Sequence, residues 1–335
     1  MPVFFDAESD GGLHPTRDRC ITIGLVNNMS DEALRTTERQ FFSLLNAASE
    51  GVPVRLLLYT LPGIARGEAM GRHIRGLYSN IDDLWDGQLD GLIVTGREPL
   101  AARLVDEPYW ESFTRLLAWA RENAHATIWS CLAAHAAILH MDGIERVKRE
   151  AKLFGIFDCA QASQHALTAH TPASIRLPHS RWNGIPEAVL TDCGYKVLTR
   201  GTEAGVDTFF KQEKKLFLFF QGHPEYSSDT LLREYRRDLG RYFRGESDQY
   251  PGMPAHYFDA ATTRSLSAFE AAAMVTRDPS MLTAIGAELE KSVIANTWDL
   301  SATAIYKNWL QYLRTEKEAG QRSKGKLVPA LEAVS

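Results

Sequence analysis

The chain has 335 residues, 44% of them hydrophobic and 24% charged, with a mean hydropathy of −0.24, which is enough for the core of one large or two ordinary domains. A formal net charge of −5, a pI near 6.1 and no long block of like charge argue against nucleic acid or an anionic membrane as partner. No apolar run approaches the roughly eighteen residues that span a bilayer, and the first twenty lack the basic and apolar regions of a signal peptide, so a cytoplasmic location is expected.

The run ITIGLV (21–26) predicts a first strand. Ser30, followed by Asp31 and Glu32, predicts a helix start, because acidic groups in a first turn face the positive end of the helix dipole. Leu34, Phe41, Phe42 and Leu45 then share one helical face. VPVRLLLYT (52–60) and LDGLIVTG (89–96) predict two more buried strands. Residues 107–124 predict a helix with the stripe Trp110, Phe113, Leu116, Leu117 and Ala120, and ATIWS (126–130) a strand that hands over at Cys131 to a helix of small residues. Strands alternating with amphipathic helices imply an α/β fold, a mostly parallel sheet with helices on both faces. In the second half, strands are expected near 187–200, 205–211 and 215–222, and helices over 227–244, 264–275, 279–292 and 299–315. Trp298, Tyr306, Trp309 and Tyr312 are expected in the core or at a subunit contact. The organisation predicted is an N-terminal extension (1–19), one domain (20–314) and a polar, flexible tail (315–335).

Cys20, Cys131, Cys159 and Cys193 form no CxxC pair and are expected as reduced thiols. Cys131 stands apart by position. A thiol at a strand-to-helix turn faces the positive end of the helix dipole, which favours the nucleophilic thiolate, and it lies beyond a strand's carboxyl end, where such folds bind ligands. The N–H of Leu132 is free to donate to an oxyanion, and the turn at Gly96 is the candidate for a second donor. A buried, inert cysteine would read the same in isolation. What tips the balance is FLFFQGHPEYSSDTLLREYRRD (217–238), where His223 and Glu225 follow a strand. Residues two apart on an extended segment point the same way, so a base and its orienting carboxylate can share one site. No HExxH, CxxC or carboxylate cluster suggests a metal, and none is expected.

The cysteine elbow with GHPE (222–225) resembles the class I glutamine amidotransferase fold, which is flavodoxin-like. The flanking text is closer to the homoserine O-acyltransferases, of the homoserine O-succinyltransferase (transsuccinylase) type, built on that fold. The similar segments are IGLVNNM, TERQFFSLL, YSNIDDLWDGQLDGLIVTG, EPYW, SCLAAHAA, AKLFGIF, LPHSRW, the GHPE segment and NWLQYL, over residues 20–314. The resemblance implies ping-pong acyl transfer in methionine biosynthesis. Cys131 would take the acyl group from acyl-CoA, a co-substrate rather than a tightly bound cofactor, and His223 would deprotonate the hydroxyl of L-homoserine. Lys152, Ser180 and Arg237 match the family's substrate-binding positions, and a guanidinium suits an amino acid's carboxylate. The partners implied are small molecules, with no nucleic acid and no membrane, and these folds often form homodimers.

Three departures stand out. The family's turn reads TG, a small residue, Pro, Leu or Val, and then a residue that sorts acyl donors, commonly Glu for acetyl and Gly for succinyl. Here TGREPLAA puts that position on Leu100, or on Ala101 with one insertion; neither is Glu, which favours succinyl, although Arg97 or Glu98 can invade the pocket. His135 replaces a frequent Gln and reads as a core histidine ahead of a hydrogen-bonding neighbour of the site. The first helix carries SDEALRT in place of a basic stretch, which keeps L-serine or another hydroxy amino acid open as acceptor. A glutamine amidotransferase-type hydrolase is the other alternative; many carry Gly two residues after the nucleophile, where this chain has Ala133.

Overall fold

The computed structural model describes residues 3–5 and 20–327. Its strands, in chain order, are β1 (Val3–Phe5), β2 (Ile21–Val26), β3 (Val54–Tyr59), β4 (Leu89–Thr95), β5 (Ala124–Ser130), β6 (Val147–Gln161), β7 (Ser174–Gly184), β8 (Lys196–Gly201), β9 (Gly205–Gln212) and β10 (Leu216–Phe220). They form one sheet in the order β1-β3-β2-β4-β5-β10-β9-β8-β6-β7. From β1 to β10 every neighbouring pair is parallel; from β10 to β7 every pair is antiparallel. The parallel part is predominantly apolar, with β2, β4 and β10 buried at every position, as a sheet covered on both faces requires.

The helices are α1 (Asp31–Ala48), α2 (Glu68–Leu77), α3 (Ile81–Trp85), α4 (Trp110–Asn123), α5 (Leu132–Asp142), α6 (Glu187–Asp192), α7 (Thr230–Phe243), α8 (Ala260–Val275), α9 (Met281–Lys291) and α10 (Asp299–Leu327). One core joins α1, α7, α8, α9 and α10 to one face of the sheet, and a second packs α4 and α5 on the other. The α1 face is the expected one: Leu34, Phe41 and Leu45 are buried, while Phe42 is half-buried and stacks on Phe5. Trp298, Tyr306 and Trp309 are fully buried, which places them in the core.

Four differences from the sequence expectations have local causes. The expected strand at 187–200 divides into α6 and β8, because Pro186 opens a helical turn and Gly194, at φ 82°, closes it. The long hairpin of β6 and β7 was not anticipated; its opening residues are exposed and polar, so no alternation marks them. A capping Asp259 starts α8 at Ala260, whose first N–H groups it accepts. Last, α10 continues to Leu327, well into the segment expected as a flexible tail, and β1 of the expected N-terminal extension pairs with β3. Among the described residues no helix is long and apolar enough to cross a membrane.

Candidate active site

Strands β5 and β10 lie side by side with Ser130 opposite Phe220, so the residues that follow them emerge together. Cys131 is one of them. Its N–H donates to Phe220 O at 2.7 Å, its carbonyl accepts from Ala134 and His135, and the backbone between turns through φ 50°, ψ −110°. A non-glycine residue holds such a conformation only when its surroundings enforce it, at a cost of about 1–3 kcal/mol. The turn leaves the thiol partly exposed at the head of α5.

His223 leaves β10 three residues after Phe220, with its N–H bound to Pro178 O at 2.8 Å. Its Nδ1 lies 2.8 Å from Glu225 Oε1, and Tyr226 stacks on the ring at 4.2 Å. With Nδ1 engaged, Nε2 is the nitrogen left for the Cys131 thiol; it is buried and otherwise without a hydrogen-bond partner. Burial by itself would lower the imidazole's pKa, but Cys131 and Glu225 beside it hold it well above the ordinary histidine value. The expected triad of Cys131, His223 and Glu225 is thus assembled. Gly96 follows β4, whose Thr95 is opposite Ser130, and packs so closely on the start of α5 that an added Cβ would lie 2.5 Å from Leu132 Cβ and 2.6 Å from Ala133 N. The two backbone positions expected to form an oxyanion hole therefore meet beside the thiol.

These groups open into a cavity of about 1720 Å³. Lys152 of β6, Ser180 of β7 and Arg237 of α7 line it around two carboxylates that sequence reasoning passed over, Glu234 and Asp238. Ser180 donates to Glu234, which also accepts from Tyr226 at 2.8 Å; Lys152 is 3.2 Å from Asp238, and Arg237 pairs with Asp238 at 2.9 Å. Glu234 lies three residues before Arg237 on the same helix, a spacing that puts both on one face and was readable. Behind Ser180, Arg181 is 4% exposed and donates to His179, Asn183 O and Ala204 O; burial pulls it down to about 10.

The residues expected to sort acyl donors fall elsewhere. Leu100 is 71% exposed, and neither it nor Ala101 lines the cavity; Arg97, Glu98 and Pro99 do. The cause is Glu107, whose Oε1 accepts the N–H groups of Leu100 and Ala101 at 2.7 and 2.8 Å and draws that end of the turn outward. His135 is 3% exposed, hydrogen-bonds Gln221 at 3.1 Å, and is pushed down to about 3 by burial. It is neutral in working conditions, a buried histidine that also braces the strand end before His223. Among the described residues no group of His, Cys, Asp and Glu is arranged to hold a metal.

The family model described as homoserine O-succinyltransferase matches residues 14–319. The homoserine O-succinyltransferase of Rhodopseudomonas palustris is 47% identical over 298 residues, covering 89% of this chain and 90% of the relative. That of Bradyrhizobium japonicum is 44% identical, covering 90% and 93%. Among solved structures, a glutamine amidotransferase from Methylobacillus flagellatus superposes with a TM-score of 0.47 at 16% identity, over 88% of this chain and 95% of the other.

Proposed function

As the chain belongs to the homoserine O-succinyltransferase family and is an acyltransferase, we propose that it carries a succinyl group from succinyl-CoA to the hydroxyl of L-homoserine through a covalent intermediate on Cys131. The observation that carries the mechanism is His223 poised between Glu225 and the thiol at the floor of a cavity large enough for two substrates.

In the first half-reaction Cys131 Sγ attacks the thioester carbonyl, and the oxyanion is met by the N–H groups at Gly96 and Leu132. The carbonyl then re-forms, the bond to the CoA sulfur breaks, and His223 Nε2 returns a proton to the departing thiol. CoA leaves before the acceptor enters, which makes the sequence ping-pong. In the second half-reaction Nε2 takes the proton of the homoserine hydroxyl, whose oxygen attacks the acyl carbon; the C–Sγ bond breaks, and the proton on His223 restores the resting pair. Glu225 holds Nδ1–H throughout and fixes the tautomer. In the same cavity, Arg237 and Lys152 suit an amino acid's carboxylate, and Glu234 suits its ammonium group. The product belongs to methionine biosynthesis.

Intact-protein mass spectrometry with succinyl-CoA and no acceptor tests this directly. The expected result is a succinyl adduct that Cys131→Ala lacks and that homoserine discharges. An adduct discharged by serine and not by homoserine would move the enzyme to another pathway, and the absence of any adduct would overturn the covalent route.

A further inference from the structure

Two of the cationic side chains that line the cavity are partly buried and, among the described residues, unpaired; of the others outside the carboxylate cluster, Lys148 is exposed and Arg149 and Arg181 donate to backbone carbonyls. Lys152 and Arg237 pair with Glu234 and Asp238, the set assigned above to the acceptor's carboxylate and ammonium groups. Arg97 and Arg146 line the same cavity as the nucleophile, and among the described residues neither forms a hydrogen bond or an ion pair. Arg97 directly follows the Gly96 turn, and its Nε is buried with no acceptor. Arg146 is partly buried, with Glu145 and then Cys131, Tyr109 and Glu107 within its electrostatic reach but none of them paired with it. Both guanidinium groups line one cavity with Cys131 and lie within electrostatic reach of the buried Tyr109 hydroxyl. Glu107 pairs with neither: its Oε1 accepts from Leu100 and Ala101, and its buried Oε2 has no partner among the described residues.

Partly desolvated guanidinium groups without an anion are costly, and a carboxylate relieves that cost through paired charge-assisted hydrogen bonds. We propose that Arg97 and Arg146 form a clamp for the distal carboxylate of a dicarboxylic acyl group on Cys131, and so set the preference for succinyl over acetyl. This rests on the acyltransfer reading above and adds the residues that choose the donor. A succinyl group attached at Sγ carries its carboxylate two methylenes beyond the carbonyl, and Arg97 directly follows the Gly96 turn expected to hold that carbonyl's oxygen. It also explains why the outward Leu100 is harmless: selection here comes from a matched charge, not from the size of the residue after the turn.

The test is kcat/KM for succinyl-CoA and for acetyl-CoA, with homoserine, in the parent enzyme, Arg97→Met, Arg146→Met and Arg97→Lys. Each Met variant should lose about 10- to 100-fold on succinyl-CoA, the scale of hydrogen bonds to a charged group. The loss on acetyl-CoA should be much smaller, so that the donor ratio collapses, and Arg97→Lys should recover part of it. Equal losses on both donors would overturn the clamp and point to the phosphates common to both CoA esters. An unchanged ratio in variants whose thermal melting matches the parent would overturn it as well. A parent enzyme that transfers from neither donor would instead defeat the acyltransfer reading itself.

Discussion

Cys131 joins two demands in one residue: a reactive sulfur and a backbone at φ 50°, ψ −110°. Glycine tolerates that conformation and alanine does not, which separates strain from chemistry. Cys131→Gly and Cys131→Ala should both abolish the acyl adduct, with turnover falling at least about a thousandfold. Only the Gly variant should gain stability, by about 1 kcal/mol in urea unfolding, because it alone releases the turn. Equal stability of the two variants would mean that the elbow stores nothing. His223 makes a prediction about pH. Its folded pKa is raised by Cys131 and Glu225 over the opposing effect of burial, so it stands above the unfolded value of about 6.5. A raised value contributes stability that is fully present below about pH 6.5 and is lost as the pH climbs through the folded value. Glu225→Gln removes one of the two neighbours that create the shift. The stability gap between parent and variant, measured by urea unfolding over a pH series, should therefore be widest in the mildly acidic range and narrow in alkali; a gap that widens with pH would contradict the pairing.

At the scale of elements, the site is made where β4, β5 and β10 end, and the contact between the β4 turn and α5 is the tightest part of it. An alanine at Gly96 would bring a Cβ within 2.6 Å of Ala133 N, and that backbone has no flexible end to move aside. Gly96→Ala should thus wedge the oxyanion donors apart, lower kcat about 100-fold, the scale of one lost donor, and cost about 1–3 kcal/mol of stability as an overpacked contact. A variant with normal kcat would show that the turn plays no part in the chemistry. The strands that carry these residues were legible, since each is a short apolar run ending in Gly or at the elbow, and the cysteine and the His-x-Glu pair sit on those ends. The hairpin of β6 and β7 was not legible as strands, although Lys152 and Ser180 upon it were recognised by resemblance. Its exposed start carries no alternation, and its position depends on Gly155, at φ 144°, whose Cα face meets the backbone of Ala255. The donor-sorting position failed for a related reason. Counting along TGREPLAA fixes an order of residues, whereas the direction of the loop is set by Glu107, which pulls Leu100 and Ala101 away from the cavity.

The whole molecule is held across the sheet by α10, the element whose length the sequence understated. Its polar last turns read as tail because their partners are distant in sequence. One of them, Lys317, reaches Asp90 at 2.7 Å and Cys20 O at 2.9 Å, while the same carboxylate accepts the N–H of Thr22 at 2.7 Å. Upstream on α10, Trp309 and Leu313 press on Gly91 in β4, where a Cβ would come within 2.7 Å of either. The C-terminal helix thereby clasps the starts of β2 and β4, at the opposite end of those strands from Cys131. Asp90 is 8% exposed and Lys317 only a little more so. Removing the cation leaves a nearly buried carboxylate with one backbone donor, and the cost should be about 1–3 kcal/mol, below that of breaking a fully buried pair. Lys317→Met should lower the urea midpoint accordingly while leaving the ratio of succinyl to acetyl transfer untouched, because strand starts and strand ends are separated by the length of the sheet. The paired change Lys317→Met with Asp90→Asn should recover part of the loss, since it no longer strands a charge. If the single variant unfolds at the parent's midpoint, α10 beyond Leu313 contributes nothing to the fold, and the clasp reduces to the aromatic packing over Gly91.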